Sequence, residues 1–317
     1  WGEARWKMLE TPTTGALFAA EEPAALAAWE TLVAERGASA LAVAAALSET
    51  PGFRARAMRL LPVLLGAVST TDVAAWIASR AMADEAPRLV GLLTEAANWL
   101  RDGSMQARVV EVLLLLWRYD EAVRVAEHAF TGSSGDVFVR LAATALRRSG
   151  SDEALRTAFD RLHRGRVDRA GRERELLFWL RTAAQLGWAD PLRGRLRPPD
   201  LLQLPPQDAA QAVQELARLG LAAEASRLLS SGQAPFQIYL RAWARRAAGD
   251  ASGADEDLAA LEAMFGTDGE LLKGDALATA DVMERLGDTA AAVRLWKRVI
   301  DSPPKGTKRP QRYHQAA

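Results

Sequence analysis

The 317 residues contain no cysteine, which excludes disulfides, thiolate nucleophiles and thiolate-held metals. It leaves the compartment open, since cysteine-free proteins occur in both cytoplasm and periplasm. Isoleucine occurs only at Ile77, Ile238 and Ile300, too sparse a supply of β-branched residues for a sheet protein. His128, His163 and His314 are the three histidines, and none has a second at metal-ligand spacing or a serine elbow beside it. No glycine-rich loop joins a strand to a helix, so nucleotide binding of the usual kinds has no support. No run of 18 apolar residues occurs, so no membrane span is expected. The run Asp255, Glu256, Asp257 offers adjacent carboxylates, but neighbours on a helix point in different directions, and a solvated helix start explains them. No catalytic set emerges. The expectation is a chain that is not an enzyme and carries no cofactor or metal.

What is present is helix-forming. Alanine occurs 64 times, and leucine, arginine and glutamate are also abundant. The composition predicts an all-α fold. Arginine outnumbers lysine 35 to 5 and Asn98 is the single asparagine, a bias that suggests a GC-rich bacterial source. Net charge is zero, so no global field draws the chain to nucleic acid or membrane. Locally the charge segregates: Arg161 to Arg197 carries a net +6 and Asp250 to Asp288 a net −9. The sequence begins at Trp1 rather than methionine, which we read as a piece of a longer bacterial protein, or one that has lost a leader.

A repeat underlies the helix pattern. In "GDTAAAVRLWKRVIDSPP" the residues Gly287, Ala292, Trp296, Val299 and Pro303 are spaced as a stacked helix pair requires. Glycine ends the first helix in a left-handed conformation. Asp or Ser (Asp120, Asp152 and Asp288) caps the second. A small alanine one turn in permits close approach, with Trp296 and Val299 facing the neighbouring unit. Equivalent positions are Ala122, Ala154, Leu192, Ala225, Ala254 and Ala292, at steps averaging 34 residues. All five alanines are expected to be buried. Upstream, helices are expected over about 23–36, 38–48, 53–67, 71–83 and 86–101, with turns at Gly37, Pro51-Gly52, Ser69-Thr70 and Asp84. Residues 1–20 read as irregular, 21–103 as degenerate helical pairs, 104–304 as repeats with a Pro-rich bend near 196–206, and 305–317 as a basic tail.

With its period and its "YDEA" and "GD…A" turns, the stretch from about Ser104 to Pro304 resembles the tetratricopeptide repeat family, in degenerate form. Most first helices lack the family's early Trp and mid-helix Gly. A pentatricopeptide period of about 35 remains an alternative on spacing alone. The resemblance implies a right-handed superhelical solenoid of antiparallel helix pairs, whose first helices line a concave groove. It points Arg174, Arg181 and Gln185 into that groove from one unit, and Gln207, Gln214 and Arg218 from the next. Phe236, Tyr239, Trp243 and Arg246 follow as an exposed aromatic stripe, then Asp281, Glu284 and Arg285. The family's Lys/Arg/Asn cluster for a terminal carboxylate is missing, Ala107 and Glu111 standing at matching positions. Six other tryptophans, Trp29, Trp76, Trp99, Trp117, Trp179 and Trp296, fall in apolar stripes and are expected in the core.

The expected function is a non-catalytic scaffold or assembly subunit. It would hold a protein or peptide segment in its groove, possible self-association included, as in bacterial envelope or exopolysaccharide secretion machines. One alternative is a helical-repeat nucleic-acid binder using the Arg161–Arg197 patch, where "RLHRGRVDRAGRERE" could contact phosphates. Nucleic acid is disfavoured because no aromatic interleaves with these arginines. A second alternative is the helical domain of a larger enzyme.

Overall fold

A computed structural model describes residues 12–19, 21–80, 85–100, 102–130, 135–162, 169–266 and 273–301. Helix covers 83% of them and no strand occurs among them. The fold is all-α, as the shortage of β-branched residues dictates. The chain divides into two compact units, Trp1–Ser151 and Asp152–Ala317. The division at 151/152 falls inside the stretch expected to be repeats.

The first unit begins with α1 (Pro12–Ala19), a helix within the stretch expected to be irregular, and continues with α2 (Glu22–Arg36). A 3₁₀ turn at Gly37–Ala40 leads into α3 (Leu41–Glu49), followed by α4 (Arg54–Ala67), α5 (Thr70–Ser79) and α6 (Glu85–Leu100). These match the five helices and the turns at Gly37, Pro51-Gly52 and Ser69-Thr70; Asp84 lies outside the described residues. Glu22–Glu49 is the one stretch among the described residues that is long and apolar enough by itself to cross a membrane, with mean hydropathy 1.2. Trp29, Leu32, Leu41 and Leu47 of this stretch are buried in the unit, whereas Leu26 is 39% exposed. Trp29 also donates its indole N–H to the Leu60 carbonyl at 2.7 Å, satisfying its one polar atom. Then come α7 (Gly103–Leu115), α8 (Tyr119–Ala129) and α9 (Gly135–Ser149), each packed on the other two.

The second unit comprises α10 (Glu153–Leu162), α11 (Arg169–Leu186), a short α12 (Pro198–Leu202), α13 (Pro206–Arg218), α14 (Ala222–Leu228), α15 (Pro235–Ala247), α16 (Ala251–Gly266), α17 (Lys273–Arg285) and α18 (Thr289–Asp301). Prolines open α12, α13 and α15 in their first turns, where the missing N–H costs nothing. The Pro-rich segment thus starts helices as well as ending one.

Four helices of the second unit, α11, α13, α15 and α17, end in the same backbone device. Gly187, Gly220, Gly249 and Gly287 have φ of 72°, 72°, 88° and 86°. The residue after each donates its N–H five residues back: Trp188 to Ala183, Leu221 to Leu216, Asp250 to Arg245 and Asp288 to Met283, at 2.8–3.1 Å. This is the Schellman closure, which satisfies carbonyls that a helix end would orphan. Gly150, φ 67°, ends α9 through a simpler bond to Leu146 at 3.0 Å. At the α7–α8 turn Arg118 bonds back to Leu113 at 2.9 Å in the same way, but the left-handed residue is Trp117, φ 59°.

These turns also fix the alanine register. Ala122, Ala225, Ala254 and Ala292 donate to the carbonyls of Arg118, Leu221, Asp250 and Asp288, four residues back, and all four are fully buried. In the unit at Asp152 the residue making that bond is Arg156, not Ala154. Ala154 is accordingly only half-buried, and Leu155, Ala158 and Phe159 form the packed face instead. Asp250 and Asp288 cap their helices, accepting from Gly253 and Ala291 at 2.9 and 3.2 Å. Asp120 lies inside the first turn of α8, after Arg118, so it cannot be the cap.

Candidate binding face

All thirteen residues predicted to line a groove lie in the second unit, on α11, α13, α15 and α17. Consecutive members of this set pack together, and α17 also packs on α13. The face is therefore partly closed on itself. Gln214 donates to the Arg285 carbonyl at 3.2 Å, and Arg285 donates to Gln211 Oε1 at 3.0 Å. Residues predicted to await a partner are here joining one another.

The α15 stripe divides likewise. Tyr239 is only 5% exposed, so the expectation of an exposed tyrosine fails. Its hydroxyl donates to Asp288 Oδ2 at 3.0 Å, tying α15 to the cap of α18. Burial, with help from the Asp288 charge and this bond, pushes the phenol well above its ordinary pKa. Phe236 and Trp243 are half-buried, and Arg246 is exposed and pairs with Asp255 at 3.0 Å. Two aromatics of the predicted three thus reach the surface.

Arg174, Gln185, Gln207, Arg218, Glu284 and Arg285 are exposed, whereas Arg181, Gln214 and Asp281 are half-buried. Arg218 donates from Nη1 to both oxygens of the buried Glu215, at 3.0 and 2.9 Å. Partial burial lowers the Arg181 pKa, opposed by Glu215 and reinforced by Arg285 and Arg218. Burial, with Glu173 adding, raises the Asp208 carboxyl, while Arg285 opposes. Asp208, Gln211 and Glu215 were not anticipated. Their signal was nonetheless in the sequence, since Gln211, Gln214, Glu215 and Arg218 share one stripe at helical spacing.

Four arginines of the basic patch are ion-paired within the chain. Arg172 pairs with the buried Asp200 at 2.5 Å, Arg193 with Asp190 at 3.3 Å and Arg195 with Asp160 at 3.4 Å. Arg161 pairs with Glu175. The middle of the motif, 163–168, lies outside the described residues, as does the tail 305–317. Among the described residues no group of three or more His, Asp or Glu is placed to hold a metal.

The core expectation for tryptophan holds for Trp29 and Trp179 and loosens at the half-buried Trp76 and Trp296. It fails for Trp99 and Trp117, which are 51% and 78% exposed. Trp99 lies in the last turn of α6, beyond the buried Ala96 and Ala97. Trp117 leaves the helix stripe because its backbone has turned left-handed, at a cost of about 1–2 kcal/mol for an L-residue.

The chain matches no model of a known protein family, and a search of curated proteins gives no match.

Proposed function

We propose that this chain is a non-catalytic scaffold, a tetratricopeptide-like solenoid that holds an extended protein segment against α11, α13, α15 and α17. The observation that carries the reading is the repeated turn: Gly220, Gly249 and Gly287 close successive helical hairpins through one hydrogen-bond pattern, and Gly187 ends α11 with the same bonds. Successive first helices then share a layer, and on it Phe236 and Trp243 remain partly open beside Arg246. Aromatics and arginine at such positions are the residue types that dominate binding energy. The hold of the buried Asp200 on Arg172 favours this reading over phosphate binding at that arginine.

The test is selection of a displayed peptide library on the purified chain, followed by titration of the enriched peptides. Trp243→Ala should weaken binding by about 2 kcal/mol, roughly 30-fold, with unchanged circular dichroism, while Arg193→Ala should bind normally. If no peptide enriches, or if Trp243→Ala binds as well as the parent, the face is not a binding site.

A further inference from the structure

In a stack of helix pairs each pair meets only its neighbours, and the second helix of one packs on the first helix of the next. α14 does this, lying against α13 of its own pair and α15 of the following one. α16 does not. Among the described residues it packs on α15 and shares no comparable contact with α17. α17 lies instead on both α15 and α13, reaching one pair further back than a stacked helix would. The α17–α18 pair has left the stack and covers part of the layer that would receive a bound segment.

The seat that α17 leaves is still marked on α16. Ala254, Asp257 and Leu261 form its buried stripe, with Asp257 held by Arg241 and Arg245 of α15. Beside that stripe Leu258, Met264 and Phe265 are only half-buried, and Ala259 and Ala260 are exposed. α14, packed between α13 and α15, buries Leu228 and Leu229 completely. A stacked α17 would cover the open flank of α16 as α15 covers α14. Residues 267–272, which connect α16 to α17, can span up to about 20 Å, so a shift by one helix diameter of about 10 Å is within reach.

The contacts that hold α17 in its present seat are light. Gln214 donates to the Arg285 carbonyl at 3.2 Å and Arg285 to Gln211 at 3.0 Å, both in exposed positions where water competes. The more buried tie is the Tyr239 hydroxyl on Asp288 at 3.0 Å, just past the end of α17. We propose that the α17–α18 pair is an autoinhibitory cap: seated on α13 and α15 it occludes the binding face, and seated on α16 it opens that face. The proposal rests on reading this face as a binding site. A bound segment and α17 then compete for one surface, so the apparent affinity is set by the fraction of chains that are open.

The chain has no cysteine, so a single thiol pair can be introduced cleanly. In Gln214→Cys/Arg285→Cys a short, disulfide-containing bismaleimide should bridge α13 and α17 of the folded chain. Peptides enriched from the displayed library should bind the bridged form at least tenfold more weakly than the same protein after the bridge is reduced. Tyr239→Phe should bind them severalfold more tightly than the parent, a sign opposite to that of a merely structural loss. It should also speed hydrogen exchange in α17 and α18 while α13 and α15 keep their protection. Equal binding before and after reduction, or weaker binding by Tyr239→Phe, would overturn the cap, and the binding face itself would stand if Trp243→Ala still weakens binding. Exchange of α17 and α18 only together with α13 and α15 would overturn the movement whatever the peptides do. If no peptide enriches on either the parent or Tyr239→Phe, the binding reading fails and the cap falls with it.

Discussion

At the α7–α8 turn the left-handed residue is Trp117, and at the α15–α16 turn it is Gly249; the returning hydrogen bond is 2.9 Å in both. Around the same backbone the two hairpins are held differently. In the α7–α8 pair Val109, Leu113, Ala122 and Val125 are buried, with a partly exposed Arg118–Glu121 pair at the turn. The α15–α16 pair adds a buried clasp. Arg241 grips Asp257 at 2.9 and 2.6 Å while reaching the Ser230 carbonyl at 3.0 Å, and Arg245 meets Asp257 at 3.0 Å. One closure is common to both hairpins. What varies is the side-chain chemistry that fastens each pair, and whether the turn residue is glycine or an exposed tryptophan.

That difference is open to attack at several depths. The clasp should respond most. Asp257→Ala leaves two partly buried guanidiniums without their carboxylate and should cost about 3–5 kcal/mol in urea unfolding. The exposed counterpart Glu121→Ala should cost under about 1 kcal/mol. If the two costs are equal, the clasp is not what distinguishes the hairpins.

Next in size is the alanine contact that every closure positions. Ala292→Leu should overpack the α17–α18 pair and cost about 1–3 kcal/mol, whereas Ala154→Leu should cost clearly less because Ala154 is half-exposed. Equal effects would restore the register expected from sequence.

Tyr239→Phe removes the tie to Asp288 and should cost about 0.5–1.5 kcal/mol at neutral pH. It should also change the alkaline behaviour. The folded phenol holds its proton above the unfolded value of about 10. Above pH 10 the unfolded chain therefore loses that proton first and stability falls as pH rises. The variant should show a shallower alkaline decline.

The smallest effects are at the turns themselves and should have opposite signs. Gly249→Ala forces a Cβ into φ 88° and should destabilise by about 1 kcal/mol, although there is open space around it. Trp117→Gly should leave thermal stability unchanged or raise it by up to about 1 kcal/mol.

Much of this molecule follows from local rules. The shortage of isoleucine and the wealth of alanine set an all-α fold. Glycine before a capping aspartate marked the ends of α15 and α17, because positive φ and unsatisfied N–H groups are short-range demands that neighbouring residues meet. The helices from 22 to 100 were legible within a few residues for the same reason. Local pattern misled where burial depends on residues distant in sequence. Trp117 lies in an apolar stripe by spacing, yet one left-handed residue swings it into solvent. Tyr239 shares a stripe with Phe236 and Trp243, yet only Tyr239 meets Asp288, 49 residues on. Gln214 and Arg285, 71 residues apart, were read as open groove positions until the packing of α17 on α13 joined them. Helix and turn are decided by each residue's own neighbourhood. Which face stays open is decided only when helices from distant parts of the chain compete for the same surface.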